Sequence, residues 1–348
     1  MTYLVTGAAG FIGFFTACRL LEAGHTVIGL DSVNNYYRTD LKERRLAIIE
    51  ETARKQNSGH EKNWIFYRGG IEDKGLIDTV FSGHTFDRVI HLAAQAGVRY
   101  SIENPYAYSV SNLDGFLNIL EACRASRIAH LAFASSSSVY GMNKKVPFSE
   151  TDPVDHPVSL YAATKRANEL MAHTYSHLYG ISVTGMRFFT VYGPWGRPDM
   201  AYFKFADAIM QGKPIDIYNN GDLLRDFTYI EDIVKAVIII ADNPARADTA
   251  FDPLHPLADR SSAQFRLYNI GNNHPEKLET FIEILESLLG KQAKKKYLPM
   301  QAGDVYVTAA DTSALERDFN WRPETSLERG LEQFIQWYKE TEPWQKSL

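Results

Sequence analysis

The sequence predicts an α/β protein with a doubly wound parallel sheet and a smaller, interleaved C-terminal α/β portion. Three observations predict it. Short apolar runs alternate with helical stretches through the first half of the chain. A glycine-rich turn joins the first apolar run to the first helical stretch. An aspartate closes the second apolar run.

Taken in order, Leu4-Val5-Thr6 reads as the first strand and Phe11 to Ala23 as a helix stopped by Gly24. Val27 to Leu30 is the second strand, ending at Asp31, and the charged stretch Leu41 to Lys55 is a surface helix. Further strands are expected at Trp64 to Tyr67, Arg88 to Leu92, Leu131 to Ala134 and around Val183 to Arg187. Helices at Leu113 to Ala125 and Tyr161 to Tyr179 separate the last of these. From about Pro194 the elements shorten, and Asn243 to Gln264, with three prolines and little periodicity, reads as a surface loop. Thr280 to Leu289 and Leu327 to Lys339 read as late amphipathic helices. The expected division is a nucleotide-binding unit over 1–190, to which later segments return, and an interleaved unit over 191–348.

A chain of 348 residues, 45% hydrophobic and 23% charged, has globular composition and needs no disulfide staples. Cys18 and Cys123 lie in helical patterns and are expected as buried, reduced thiols. A net charge of −5 gives no support to a nucleic-acid or membrane surface. No charged-then-apolar leader opens the chain and no apolar run approaches about 18 residues, so a cytoplasmic location is expected. The run Lys294-Lys295-Lys296 reads as a solvated face. Ten histidines show no paired ligand spacing, so no metal is expected, and His91 reads as a structural imidazole.

The turn Gly7-Ala8-Ala9-Gly10-Phe11-Ile12-Gly13 is a variant of the Rossmann-type dinucleotide fingerprint. Gly7 permits the tight turn, and Gly10 lets backbone N–H groups approach a pyrophosphate seated on the positive helix end. Asp31 stands where a carboxylate can accept both ribose hydroxyls and repel a 2′-phosphate, which favours NAD over NADP. Tyr161-Ala162-Ala163-Thr164-Lys165 places a phenol and an ammonium on one helix face. A phenol near pKa 10 is a poor base at neutral pH, and a neighbouring cation stabilises its phenolate. Ser135-Ser136-Ser137-Ser138 follows an apolar strand, at the strand end where ligands bind in such sheets.

Together these residues resemble the extended short-chain dehydrogenase/reductase family, and more narrowly its NAD-dependent nucleotide-sugar epimerases and dehydratases. The resemblance runs from Thr2 to about Tyr338. It implies Tyr161 as base, Lys165 as its electrostatic partner and ribose ligand, and Ser136 as the hydroxyl that shares the substrate proton. It implies a tightly held NAD lined by Phe11, Ile12, Gly13, Asn34, Ile71, Leu92, Ala93, Ala94, Gln95 and Asn112. Gly70 departs from the family's usual acidic residue before the position of Ile71, where the adenine amine is held. The resemblance further implies a homodimer built on the helices Leu113 to Ala125 and Tyr161 to Tyr179.

The serine run separates the reactions within that family. Dehydratases place Asp-Glu where Ser137 and Ser138 stand, and decarboxylases place Glu where Ser138 stands. With neither acid present, C4 epimerisation through a 4-keto sugar is expected, without net redox change. The run Arg187 to Met200, with Thr190 and Arg197, and the run Asp31 to Tyr37 resemble UDP-glucuronate 4-epimerases. Ser137, Ser138, Thr190 and Arg197 are then the expected donors to the uronate carboxylate. Arg225, within Arg225-Asp226-Phe227-Thr228-Tyr229, is implied on the UDP phosphates, and Asp304 on the uridine ribose. Three alternatives stay open: a UDP-glucose or UDP-N-acetylglucosamine 4-epimerase, a UDP-glucuronate decarboxylase, and a non-catalytic NAD-binding regulator.

Overall fold

The computed structural model describes residues 1–56, 63–300 and 305–345. Its first half runs β1 (Thr2–Thr6), α1 (Phe11–Glu22), β2 (Thr26–Asp31), α2 (Thr39–Gln56), β3 (Trp64–Arg68), α3 (Lys74–Gly83) and β4 (Arg88–His91). Two short helices, α4 (Tyr100–Glu103) and α5 (Pro105–Tyr108), lead through a π-helical turn at Ser109–Asp114 into α6 (Gly115–Ala125). Then come β5 (Leu131–Ser136), α7 (Leu160–Tyr179) and β6 (Val183–Phe188).

The central sheet has seven strands, all parallel. Five sit in the order β3, β2, β1, β4, β5; then come β6 and, at the edge, a strand from far along the chain. The order reverses between β1 and β4, and that reversal opens a crevice at the carboxyl ends of the strands. Leu4 lies opposite Ile28 on one side and Val89 on the other. Successive strand residues feed opposite faces: Tyr3 and Val5 join one core cluster, and Leu4 joins the other. Both faces are covered, which is why these strands read as continuous apolar runs.

Phe189 ends the pairing of β6, and the chain crosses to β7 (Thr190–Tyr192) in a second, three-stranded sheet. After α8 (Ala201–Met210) and β8 (Pro214–Ile217), β9 (Leu224–Tyr229) pairs in parallel with β7. The helix α9 (Ile230–Asp242) packs on α1, and β10 (Phe265–Ile270) is the strand that returns to the central sheet beside β6. The chain ends with β11 (Pro275–Lys277), α10 (Leu278–Leu289), β12 (Lys294–Tyr297), α11 (Ser313–Phe319) and α12 (Leu327–Gln345).

The expected strands are present, with several boundaries moved by a residue or two. The helix expected from Leu113 begins as an α-helix only at Gly115, because Ser109–Asp114 winds wider. Lys294–Lys296 belongs to β12, paired with β8, and its cations stay outward, with Lys295 bonded to Glu279. Asn243 to Gln264 contains no helix or strand. Cys18 and Cys123 are buried free thiols. Among the described residues no helix is long and apolar enough to cross a membrane.

Candidate active site

A cavity of about 740 Å³ occupies the crevice between the carboxyl ends of β1 and β4 and the second sheet. Gly7, Gly10, Phe11, Ile12 and Gly13 line one end of it. Gly7 has φ +74°, and a β-carbon there would stand 2.8 Å from the backbone of Ala93. A β-carbon on Gly13 would overlap the Gly7 carbonyl, so the turn closes only as glycine. Gly10 starts α1 without a side-chain cap, leaving the helix N-terminus suited to an anion.

Asp31 ends β2 at the same place. Its carboxylate accepts the N–H of Val33 at 2.7 Å and of Ala9 at 3.0 Å, and it lines the cavity. Asn34 also lines the cavity, and its side-chain Oδ1 accepts the ammonium of Lys42 at 2.8 Å. Burial brings that ammonium down to about 8. Ile71, Leu92, Ala93, Ala94 and Gln95 complete this half of the wall. Asn112, expected on the wall, stands one layer behind it in the π-helical turn. Its amide accepts the N–H of Gln95 at 2.8 Å and donates to the Gln95 carbonyl at 3.0 Å and to Thr164 at 3.1 Å. It fixes the backbone at the end of β4 instead of facing the cavity.

The middle of the cavity holds Tyr161, Lys165 and Ser136 together. Ser159 caps α7 by accepting the N–H of Ala162 at 3.1 Å, which sets Tyr161 in the first turn. Ser136 is the last residue of β5, in hydrogen-bonding position to the phenol. Burial raises the Tyr161 phenol above its ordinary value, while the Ser136 hydroxyl and the Arg197 guanidinium pull it back. Lys165, four residues on along α7, lines the same cavity, and its ammonium donates to the Ala134 carbonyl at 2.9 Å. Burial lowers Lys165 to about 8, opposed by Glu169 one helical turn further on.

Glu169 anchors the machinery from behind. It is fully buried, paired with the equally buried Arg187 at 2.8 Å, and accepts the Ser135 hydroxyl at 2.7 Å. Burial works to raise its carboxyl, and Arg187, Ser135 and Arg166 together more than offset that, holding it below the ordinary range. The strand β5 and the helix α7 are thereby locked side by side at the point where they present Ser136 and Tyr161.

At the far end Ser137, Ser138, Thr190 and Arg197 line the cavity. Arg197 is held by Asp199, with Nε at 3.0 Å and Nη2 at 2.5 Å, and Tyr36 donates to the same carboxylate at 3.2 Å. Arg225 is not on this wall; it donates to the Leu224 carbonyl at 2.9 Å and the Tyr306 carbonyl at 3.0 Å. Asp304 lies outside the described residues. His91 is fully buried against Thr6 at 2.8 Å, and burial depresses it to about 3. Arg99, Glu103 and Lys204 also line the cavity and were not singled out from the sequence. For Arg99 the signal was available, since it follows β4 at the carboxyl edge of the sheet.

The profile of the NAD dependent epimerase/dehydratase family matches residues 3–256. The chain belongs to that family. A protein of Escherichia coli O111:H-, known as an uncharacterized 37.6 kDa protein in the cld 5′ region, is 54% identical over 98% of this chain and 99% of its own. A probable UDP-glucuronate 4-epimerase of Rhizobium meliloti is 46% identical, covering 97% of each chain. The crystal structure of UDP-glucuronic acid 4-epimerase from Bacillus cereus, in complex with UDP-glucuronic acid and NAD, superposes with a TM-score of 0.82. It is 30% identical and covers 98% of this chain and 99% of that one. In this epimerase/dehydratase the glycine turn, the uncapped start of α1 and Asp31 form a cradle that fits NAD.

Proposed function

We propose that this chain is an NAD-dependent UDP-sugar 4-epimerase that interconverts UDP-glucuronate and UDP-galacturonate. The observation that carries this reading is the set of side chains around Tyr161: three serine hydroxyls, Thr190 and Arg197, with no carboxylate in the serine run. The relatives at 46% identity and the 0.82 superposition support it independently.

NAD, when bound, supplies the hydride acceptor and donor for C4. Tyr161 accepts the proton of the 4-hydroxyl as its C4–H leaves as hydride, and Ser136 bridges phenol and sugar oxygen. After the 4-keto sugar turns over, hydride returns to the other face and Tyr161 gives the proton back. Redox balance is restored within one turnover. The 4-keto uronate is a β-keto acid, which loses carbon dioxide when its carboxylate stands perpendicular to the ketone. Arg197, Thr190, Ser137 and Ser138 restrain that carboxylate, and two serines in place of acids leave no group to drive elimination.

The cofactor half of the molecule is the unit over 1–190 together with β10, and the half over 191–348 carries the sugar nucleotide, with Arg225 on its phosphates and Asp304 on its ribose. We place the enzyme in the cytoplasm, as a homodimer. Leu117 on α6 and Leu170, Leu178 and Tyr179 on α7 are exposed apolar side chains on two helices that pack side by side, and they suit a partner copy.

The test is incubation of the purified protein with UDP-glucuronate and no added nucleotide, followed by chromatography of the sugars. UDP-galacturonate without pentose is the expected product. UDP-xylose or a 4-keto pentose would establish the decarboxylase instead, and turnover of only UDP-glucose or UDP-N-acetylglucosamine would move the substrate assignment.

A further inference from the structure

Arg45, on α2, is one of the two largest fully buried side chains among the described residues. All five of its N–H donors are met, and every acceptor is a neutral oxygen. Nη1 donates to the Ala9 carbonyl at 2.9 Å and the Tyr37 hydroxyl at 2.7 Å. Nε donates to the Trp195 carbonyl at 3.1 Å, and Nη2 to the Trp195 and Gly196 carbonyls at 2.5 Å and 3.1 Å. A buried guanidinium without a carboxylate partner is costly unless its geometry serves something.

The acceptors belong to three segments that each line the cavity. Ala9 lies within the glycine turn, and its N–H holds Asp31 at 3.0 Å. Tyr37 belongs to the loop after β2, beside Tyr36, which bonds Asp199. Trp195 and Gly196 immediately precede Arg197, and Trp195 sits in the left-handed region at φ +57°, a conformation its surroundings must impose. The two carbonyls that this bend turns inward are the ones Arg45 holds. Beyond the bend, the N–H of Arg197 is fixed by the Tyr202 hydroxyl at 3.0 Å.

We propose that Arg45 is a positioning residue that ties the cofactor turn to the Trp195–Arg197 bend, so that seating NAD and setting Arg197 beside Tyr161 are one event. Neither end can move without breaking bonds to the same guanidinium. Its buried charge also lies one residue from the glycine turn's pyrophosphate cradle, where an anion would compensate it. The inference rests on the reading of the glycine turn as an NAD site and of Arg197 as a sugar contact, but its test needs no sugar.

Arg45→Lys keeps the charge and cannot make five bonds in a fork; Tyr37→Phe removes a single acceptor and is the milder variant should the first fold poorly. Two quantities are measured on the full chain: NAD affinity, and the titration of Tyr161 with saturating NAD, read as the difference spectrum against Tyr161→Phe. The groups that face this phenol are Ser136 from β5, Arg197 from the bend, Tyr108 from α5 and Lys165 from its own helix. Arg45→Lys is expected to weaken NAD by about tenfold or more and to shift the Tyr161 titration upward, as Arg197 drifts from it. Tyr37→Phe is expected to move both in the same direction by less. A variant that melts earlier but keeps both values within about twofold of the parent would reduce Arg45 to a packing residue. A loss of NAD affinity with an unmoved Tyr161 titration would also overturn the proposal, since the tie to the bend would be absent. If both shift while the parent fails to turn over UDP-glucuronate, the coupling stands and the substrate assignment falls.

Discussion

At the scale of single residues, Tyr161 is a base that its surroundings both hinder and help. Burial raises the phenol; Ser136 and Arg197 lower it. Tyr161→Phe is expected to cut turnover by about 10²–10⁴-fold while NAD remains bound, measured by product formation alongside nucleotide released on denaturation. Equal turnover in the variant would remove the phenol from the chemistry. Arg197→Met removes a group that favours phenolate, so Tyr161 titrates at higher pH. The rising limb of the rate against pH therefore moves toward alkaline pH, and a fixed or acid-shifted limb would contradict the field of Arg197 on the phenol. The glycine turn, Asp31 and the Tyr161/Lys165 pair were legible in the sequence because each is a local pattern with local geometry. Arg45 was not, because its acceptors are backbone carbonyls and a hydroxyl brought in by distant segments, and a carbonyl carries no residue signature.

At the scale of elements, the docking of α7 on β5 and β6 depends on Glu169, which accepts the Ser135 hydroxyl of β5 and pairs with Arg187 of β6, both charges fully enclosed. Glu169→Ala leaves the Arg187 charge buried without its partner, and about 3–5 kcal/mol of stability is expected to go, read by chemical denaturation. Loss of under about 1 kcal/mol would show that the pair is dispensable. Glu150 acts in the opposite sense. It is buried, accepts the N–H of Asn269 in β10 at 2.9 Å, and burial pushes its carboxyl up to about 7. With the folded value above the unfolded one, its contribution is complete below about pH 4.5 and is lost as pH rises through about 7. Glu150→Gln is accordingly expected to flatten the fall in stability between about pH 5 and about pH 8, and an unchanged slope would refute that role. Some elements escaped the sequence reading for definite reasons. The helix α9 does carry a helical period in Ile230, Ile233, Val234, Val237 and Ile240, but it starts directly after β9 ends at Tyr229, so no turn marks its beginning. The helix α3 carries its cap, Asp73, and its apolar face of Ile77, Val80 and Phe81, but glycine near each end dilutes the pattern.

At the scale of the whole molecule, the proposed dimer makes a direct prediction. Leu170→Glu places a charge in the middle of the exposed apolar face of α7, and sedimentation is expected to show the dimer dissociating at micromolar concentration with the fold intact. A dimer that persists would put the interface elsewhere. The doubly wound sheet was readable from the alternation of its first half, because a sheet covered on both faces writes continuous apolar runs. The second, three-stranded sheet was not readable. Its strands β7 and β11 are three residues long, too short for any periodicity to show.

The return of β10 to the central sheet also has a consequence for how the protein is made. While a ribosome is still translating 189–264, β6 has no neighbour on its outer side, although every one of its residues is buried in the finished sheet. At about 5–20 residues per second this interval lasts about 4–15 s, during which a strand edge that is covered in the finished fold stays open to any other chain. The cofactor half therefore cannot close ahead of the sugar half, and a nascent chain halted between Phe188 and Phe265 is the form of this protein most exposed to aggregation and to chaperone capture.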